Sequence, residues 1–235
     1  MGSDLPKTLC IVAGKPMLAH ILNSLTEAGN CLPPIVVVGH KGSQVREFLG
    51  SSIATVEQTD LSGTGTAARI ALAAVPPDAK TVLIMYGDHP FIDPASIRSI
   101  EETHNASGAA ITFGTTTVPD YGDWRRVFIS FGRVIRNLAG DVQEIREYKN
   151  TNEHEQNIRE LNIGFYCVDR AWLEEALGQI ERDSVSGEYY LTDIVSLALY
   201  QGKHVETVPI SPEEALGINS PEDAKLAESL HSDKK

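Results

Sequence analysis

The sequence predicts an α/β fold with a mixed, mainly parallel sheet and helices on both faces. Three observations carry that prediction. Short β-branched runs alternate with longer stretches of helical periodicity over residues 16–88, the pattern of right-handed βαβ crossovers. The strongest run, TVLIMYGD (81–88), is continuously apolar, as a strand buried on both faces is, and stops at Gly-Asp. After residue 108 the connections shorten and strand-like runs follow one another, which predicts antiparallel pairs appended to the parallel sheet.

In chain order, PMLAHILNSLTEAG (16–29) sets apolar residues at helical spacing, PPIVVVGH (33–40) is a buried strand ending at a glycine, and SIATVEQ (52–58) is another. GTAARIALAAV (65–75) is a helix, and the strand at 81–88 follows it. AAITFGTTTV (109–118), RRVFIS (125–130), GRVIRNL (132–138) and NIGFYCVD (162–169) are strand-like. RAWLEEALGQI (170–180) and LTDIVSLALYQG (191–202) are helices, and HVETVPI (204–210) is a late strand. SPEDAKLAESL (220–230) opens with Ser-Pro and an acidic first turn, as a capped helix does, and the tail HSDKK is expected to fray. No repeat, low-complexity tract or linker interrupts the chain.

The 235 residues, 42% hydrophobic and 22% charged, suit one large globular domain or one domain with a small subdomain. A net charge of −12 argues against a nucleic-acid surface but not against a small phosphorylated substrate, which a few local cations and a metal can neutralise. Cys10, Cys31 and Cys167 are scattered, with no CxxC or Cys/His cluster, so zinc and redox motifs are not expected and a reducing cytoplasm is. Neither a membrane-spanning run nor a signal peptide is expected.

Ligands of open α/β sheets bind at the carboxyl ends of the strands. Three such ends here have unusual content. Gln58 ends a strand, and GTG (63–65) follows at a helix start. The Gln58 amide can read the edge of a base, and glycines let backbone N–H groups approach a flat or anionic ligand. A plain glycine-rich helix cap is the alternative. In MYGDHP, Asp88 stands just past a buried strand, placed either to hold Mg²⁺ bridging phosphates or to cap a turn. GEYYLTD (187–193) crowds two tyrosines, a threonine and two acids before an amphipathic helix, as a sugar-contacting rim or as a cap with Tyr190 in the core. Glu147 and Asn162 could bond sugar hydroxyls, and Asn219 precedes a helix that it could equally cap. His20, His40, His89 and His204 lie in different segments and read as surface or packing residues.

Together, SDLPK, AGKPMLAHIL, the Gln58 to GTG spacing, YGDHP, DYG, LNIGFY, GEYYLTDI and GINSPED resemble the sugar-phosphate nucleotidyltransferase family. Within it they are most similar to the uridylyltransferase (pyrophosphorylase) domain of bacterial bifunctional N-acetylglucosamine-1-phosphate uridylyltransferases. The resemblance runs from about Ser3 to about Ser220. It implies a Rossmann-like nucleotidyltransferase fold over 1–220, with a nucleotide half (about 1–108) and a small antiparallel sugar-binding half (about 109–220), then a C-terminal helix and tail (221–235). It implies Lys7 and Asp88 as catalytic residues, and Lys7, Gln58, Gly63, Thr64, Tyr86 and Gly87 at the nucleotide. Gly122, Glu147, Asn162, Tyr190 and Thr192 fall to the sugar, and Asp88 with Asn219 to Mg²⁺. At Gly122 the match departs, since DYGDWRRV carries extra residues before its arginines. The implied reaction transfers UMP from UTP to N-acetylglucosamine-1-phosphate, for cell-envelope precursor synthesis. Another sugar or nucleotide, or a catalytically silent binding protein, are the alternatives.

Family members open with a hydrophobic strand and a GxGTRM loop, and Met1 stands where that loop ends. The expectation is therefore a start at an internal methionine, without the first strand and glycine-rich loop. Four or five apolar side chains at ~1.5–3 kcal/mol each would be missing from the core, roughly 6–15 kcal/mol, against ~5–15 kcal/mol for a whole domain. Low stability and little activity follow from that expectation. The hexapeptide-repeat acetyltransferase part of the bifunctional enzymes is likewise not expected, nor is a trimer assumed.

Overall fold

A computed structural model describes residues 5–29 and 33–232. The readings at Met1, Ser3, Asp4, Cys31 and the last residues of the tail lie outside the described residues. The first described elements are a 3-10 turn at Lys7–Leu9 and a small antiparallel hairpin, β1 (Ile11–Val12) with β2 (Lys15–Pro16). Helix α1 (Met17–Ala28) buries Met17, Leu18, Ile21 and Ala28 at helical spacing and ends at Gly29, whose φ of 80° suits glycine. Then follow β3 (Ile35–Val38), α2 (Gly42–Leu49), β4 (Ala54–Glu57), α3 (Thr64–Leu72) and β5 (Thr81–Met85). Helix α4 (Pro94–Ser107) is bounded by chemistry at both ends. Asp93 accepts from the Ala95 N–H at 2.7 Å, Pro94 opens the first turn, and Gly108 closes the last at φ 64°.

The second half supplies β6 (Ile111–Thr117), β7 (Arg133–Arg136), β8 (Val142–Arg146), β9 (Glu160–Asp169), α5 (Arg170–Leu177), α6 (Asp193–Tyr200), β10 (Val205–Pro209) and α7 (Pro221–Ser232). The main sheet is mixed, in the order β10-β6-β9-β7-β8, with β5 also paired to β9. Strands β5, β6 and β10 run the same way, but β9 enters between β5 and β6 antiparallel to both. Among the described residues, direct parallel pairing is thereby confined to β10–β6 and to the separate β3–β4 pair. Among the described residues β3 pairs with β4 alone and β5 with β9 alone, so each keeps one edge without a strand partner.

Strand β9 alternates. Leu161, Ile163, Phe165 and Cys167 enter one core with Met17, Ile97, Ile100 and Phe128, while Tyr166 and Val168 enter the other with Phe113, Trp172, Leu173 and Ile194. Period-two alternation on one strand thus serves helices on both faces. A third, smaller cluster of Leu9, Leu18, Val38, Val45 and Leu49 lies beneath β3.

One predicted strand is not formed. RRVFIS (125–130) lies within 3-10 turns spanning Asp123–Ser130. The physical reason is local. Arg125 Nε and Nη2 donate to Asp120 Oδ1 at 2.8 and 2.6 Å, and the Arg125 N–H to the Gly122 carbonyl at 3.0 Å, which turns the chain back. Phe128 is then buried edge-on between Trp124 and Phe131, with ring centroids at 6.0 and 5.0 Å, where a strand would need a neighbouring edge. Helices α2 and α4 and strand β8 come in addition to the predicted elements.

Gly164 breaks the regularity of β9 at φ 71°, and a Cβ there would run into the Tyr86 ring. Replacing it combines left-handed strain with overpacking, together about 2–5 kcal/mol. Gly164→Ala is accordingly expected to lower the thermal midpoint by roughly 4–20 °C, at about 2–4 °C per kcal/mol for a chain of this size. A shift below about 2 °C in a melting curve would contradict this.

Candidate active site

Lys7, Asp88 and Asn219, far apart in sequence, converge at one point. Lys7 Nζ lies 2.7 Å from Asp88 Oδ2 and 2.6 Å from Asn219 Oδ1. Lys7 is presented by its 3-10 turn, Asp88 by the carboxyl end of β5, and Asn219 by the segment between β10 and α7. The Ile218 N–H donates to the Asp88 carbonyl at 2.9 Å and ties the last two together. Asn219 does not cap α7 with its side chain. Ser220 and Asp223 do that reciprocally, Asp223 N–H to Ser220 Oγ at 3.0 Å and Ser220 N–H to Asp223 Oδ2 at 2.8 Å.

Burial alone would raise the Asp88 pKa, but the neighbouring His89 and Lys7 outweigh it and hold the carboxyl below its usual range. Burial in turn pushes His89 below the usual imidazole range, so near neutral pH the cation facing Asp88 is Lys7. His89 meets Tyr86 and Phe131 edge-on at 6.4 and 5.9 Å, the packing role predicted for it. Asp88 Oδ1 is buried without a hydrogen bond, 3.5 Å from His89 Nε2. Gly87 leaves little room, since a Cβ there would lie 3.0 Å from Thr8 Cγ2.

A second group forms where two predicted loops dock. The Tyr189 N–H donates to the Ser62 carbonyl at 2.8 Å, Gly65 N–H to the Tyr189 carbonyl at 2.8 Å, and Leu191 N–H to Thr64 Oγ1 at 3.0 Å. The glycines of GTG are explained by this contact. Gly63 has φ 105°, and a Cβ at Gly63 or Gly65 would strike the 188–189 backbone or Ile180. Gln58 Nε2 donates to the Gly63 carbonyl at 3.1 Å, which leaves its Oε1 and second N–H for other use.

The third group begins at Tyr86. Its hydroxyl lies beside those of Thr64 and Tyr166, and burial, reinforced by Glu147, pushes its pKa up to about 12. Tyr166 accepts from Asn162 Nδ2 at 2.7 Å, so the polar groups of Thr64, Tyr86, Tyr166 and Asn162 lie together between the two halves. Thr192, 2% exposed, donates to Glu147 Oε1 at 2.9 Å. Burial raises the Glu147 pKa despite that bond. Tyr190 is not core: its hydroxyl donates to Ser186 Oγ at 2.6 Å, accepts from Lys149, and carries the Lys149 ammonium over its ring.

Gly122 stands apart. It is exposed, and its N–H donates to Asp120 Oδ1 at 2.7 Å within its own turn. Sequence reasoning missed Tyr166, Lys149 and Arg133. Arg133 is fully buried between the Tyr121 and Tyr148 rings at 5.0 Å each and donates to the Phe131 and Gln156 carbonyls, which locks the turns beside Gly122 and Glu147 together. Its place in GRVIRNL carries no signal of that, because a strand arginine ordinarily faces water.

A model of the MobA-like NTP transferase domain family matches residues 1–162. The chain is 39% identical, over all of its length, to the bifunctional protein GlmU of Heliobacterium modesticaldum, and 38% identical, over 97% of it, to that of Geobacter metallireducens. It spans 50% and 46% of those two proteins, about half the length of the curated relatives it matches. Among solved structures, UDP-glucose pyrophosphorylase complexed with UDP-glucose superposes with a TM-score of 0.71 at 14% identity, covering 98% of this chain and 92% of that one. CMP:2-keto-3-deoxy-manno-octonic acid synthetase complexed with CTP gives 0.68 at 17% identity, covering 100% and 95%. At such identities these two establish a shared α/β nucleotidyltransferase fold.

Asp193, first residue of α6, has its carboxyl pushed up to about 6 by burial and by Glu147 and Asp183. A raised carboxyl pKa means the native state holds the proton more tightly than the unfolded chain, so stability falls as pH rises from about 4 through about 6. Asp193→Asn is therefore expected to raise the thermal midpoint at pH 7 and to leave it unchanged below pH ~4. Melting curves across that range check the sign, and a shift independent of pH would contradict it.

Proposed function

Because the chain belongs to the MobA-like NTP transferase domain family, a family of nucleotidyltransferases, we propose that it transfers UMP from UTP to N-acetylglucosamine-1-phosphate, releasing pyrophosphate. The product, UDP-N-acetylglucosamine, would serve cell-envelope precursor synthesis. The observation that carries the reading is the convergence of Lys7, Asp88 and Asn219 at the carboxyl ends of the strands, beside a polar wall that runs from Thr64 to Asn162.

In this reaction a phosphate oxygen of the sugar phosphate attacks the α-phosphorus of UTP in line. The new O–P bond forms as the bond to the bridging oxygen breaks, and pyrophosphate leaves with that electron pair. A phosphate monoester is already nucleophilic, so the residues need only position it and neutralise charge. Lys7 supplies the cation at the reacting phosphate. Gln58 offers its remaining amide groups to the base, and the docked backbone at Gly63–Thr64 forms the floor beneath it, with Tyr86 and Gly87 lining the side nearest Asp88. Glu147, Asn162, Tyr190 and Thr192 form the sugar rim. Gly122 fits this rim least well, since its only described bonding is within its own turn.

Asp88 and Asn219 are the residues that would hold Mg²⁺. Both offer hard oxygen atoms, and the unbonded, buried Oδ1 of Asp88 lacks a partner that such an ion supplies. Two protein oxygens suit Mg²⁺, which keeps several waters and shares its shell with phosphates. When bound, the ion neutralises phosphate charge that develops during transfer.

Pyrophosphate release from UTP, N-acetylglucosamine-1-phosphate and Mg²⁺ tests the reading. Asp88→Ala is expected to lower kcat by about 100-fold or more. Another triphosphate or sugar phosphate turned over more than tenfold better would overturn the substrate assignment. Tyr190→Phe is expected to raise KM for the sugar phosphate about three- to tenfold while leaving KM for UTP unchanged. An effect on UTP alone would remove Tyr190 from the sugar rim.

A further inference from the structure

One nitrogen already bonds both residues assigned to the metal. Lys7 Nζ bonds Asp88 Oδ2 at 2.7 Å and Asn219 Oδ1 at 2.6 Å. We propose that in the free protein Lys7 is the resident cation of the Asp88–Asn219 pair, and that a divalent ion can join that pair only as the Lys7 ammonium is drawn away. The proposal rests on the reading of Asp88 and Asn219 as metal ligands and adds a competitor that this reading does not contain.

The physical argument has three parts. An ammonium and a divalent ion cannot both sit against the Asp88 carboxylate and the Asn219 amide, because two like charges a few ångströms apart repel strongly at a part-buried site. Asp88 is largely enclosed, its side chain 25% exposed, so leaving its charge without any cation is costly. Lys7 is free to move where Asp88 is not. Its side chain is 35% exposed on a flexible four-carbon stem, while Leu9, 8% exposed, anchors the turn beneath it. One cation therefore always faces Asp88, first the ammonium and then the divalent ion. Incoming nucleotide phosphates offer the ammonium a new partner, so metal and nucleotide enter together and the free protein binds the metal weakly.

Mn²⁺ alone, titrated into the protein without nucleotide and followed by the loss of its free-ion electron-paramagnetic signal, tests this. Lys7→Met and Lys7→Gln are expected to bind Mn²⁺ about tenfold more tightly than the unaltered protein, the size expected when a charge-assisted hydrogen bond no longer competes. Lys7→Arg keeps the charge and is expected to show no gain. Adding Asp88→Asn to Lys7→Met is expected to abolish the gain. Melting curves confirm that each variant is folded, and the two neutral substitutions guard against a defect peculiar to one. Equal Mn²⁺ affinity with and without the Lys7 charge, while Asp88→Asn still weakens binding, overturns the exchange and leaves the metal reading standing. Affinity indifferent to Asp88→Asn in every background overturns the metal reading, and the exchange with it.

Discussion

The contact of the Tyr86 ring with the bare backbone of Gly164 is the constraint on which this molecule's arrangement depends. Tyr86 lies one residue past β5, and two residues further on stands Asp88. Gly164 lies inside β9, the strand that pairs with β5, β6 and β7 and feeds both hydrophobic cores. Because a Cβ at Gly164 would run into that ring, the end of β5 can reach its position only where β9 has no side chain and a left-handed φ. The end of β5 that leads to Asp88 is thereby held to the strand that carries Asn162.

Around that contact, charge is sorted by position. At the β5 end a lysine, a carboxylate and an amide oxygen meet within hydrogen-bonding distance. On the far side of Tyr86, burial raises the pKa of two acids, Glu147 and Asp193. The polar groups of Thr64, Tyr86, Tyr166 and Asn162 lie together between them, with Asn162 Nδ2 donating to the Tyr166 hydroxyl. Buried hydroxyls and amides bonded to one another keep a fixed geometry, since each broken link would leave an unsatisfied group in low dielectric. Arg133 acts similarly at the rim, where two tyrosine rings and two carbonyls hold a guanidinium with no exposed surface.

The glycines of the 63–65 stretch show how one signal can serve two ends. Their spacing suggests backbone N–H groups freed for a ligand, yet Gly65 already spends its N–H on Tyr189, and the glycines are required by close approach of the Tyr189 backbone at Gly63 and of Ile180 at Gly65. What the loop gains is a fixed seat. The GTG turn and the GEYYLTD segment become a single surface, so Gln58 and Tyr190 are placed relative to each other by backbone hydrogen bonds rather than by flexible side chains.

Sequence alone determined the α/β alternation, most of the helices and strands, and the placing of Asp88 and Asn219 just past β5 and before α7, because periodicity and capping are local properties of a chain. Helix α4 was missed, although its bounds, Asp93-Pro94 and Gly108, are local signals as well. Other features were decided only in three dimensions. RRVFIS reads as a strand by composition, but among the described residues no strand pairs with it, and an arginine–aspartate pair coils it instead. The insertion of β9 between β5 and β6, the burial of Arg133 and the meeting of Lys7 with Asp88 and Asn219 depend on residues distant in sequence. Each is set by which surfaces a folded chain brings into contact, and no window of neighbouring residues contains that information.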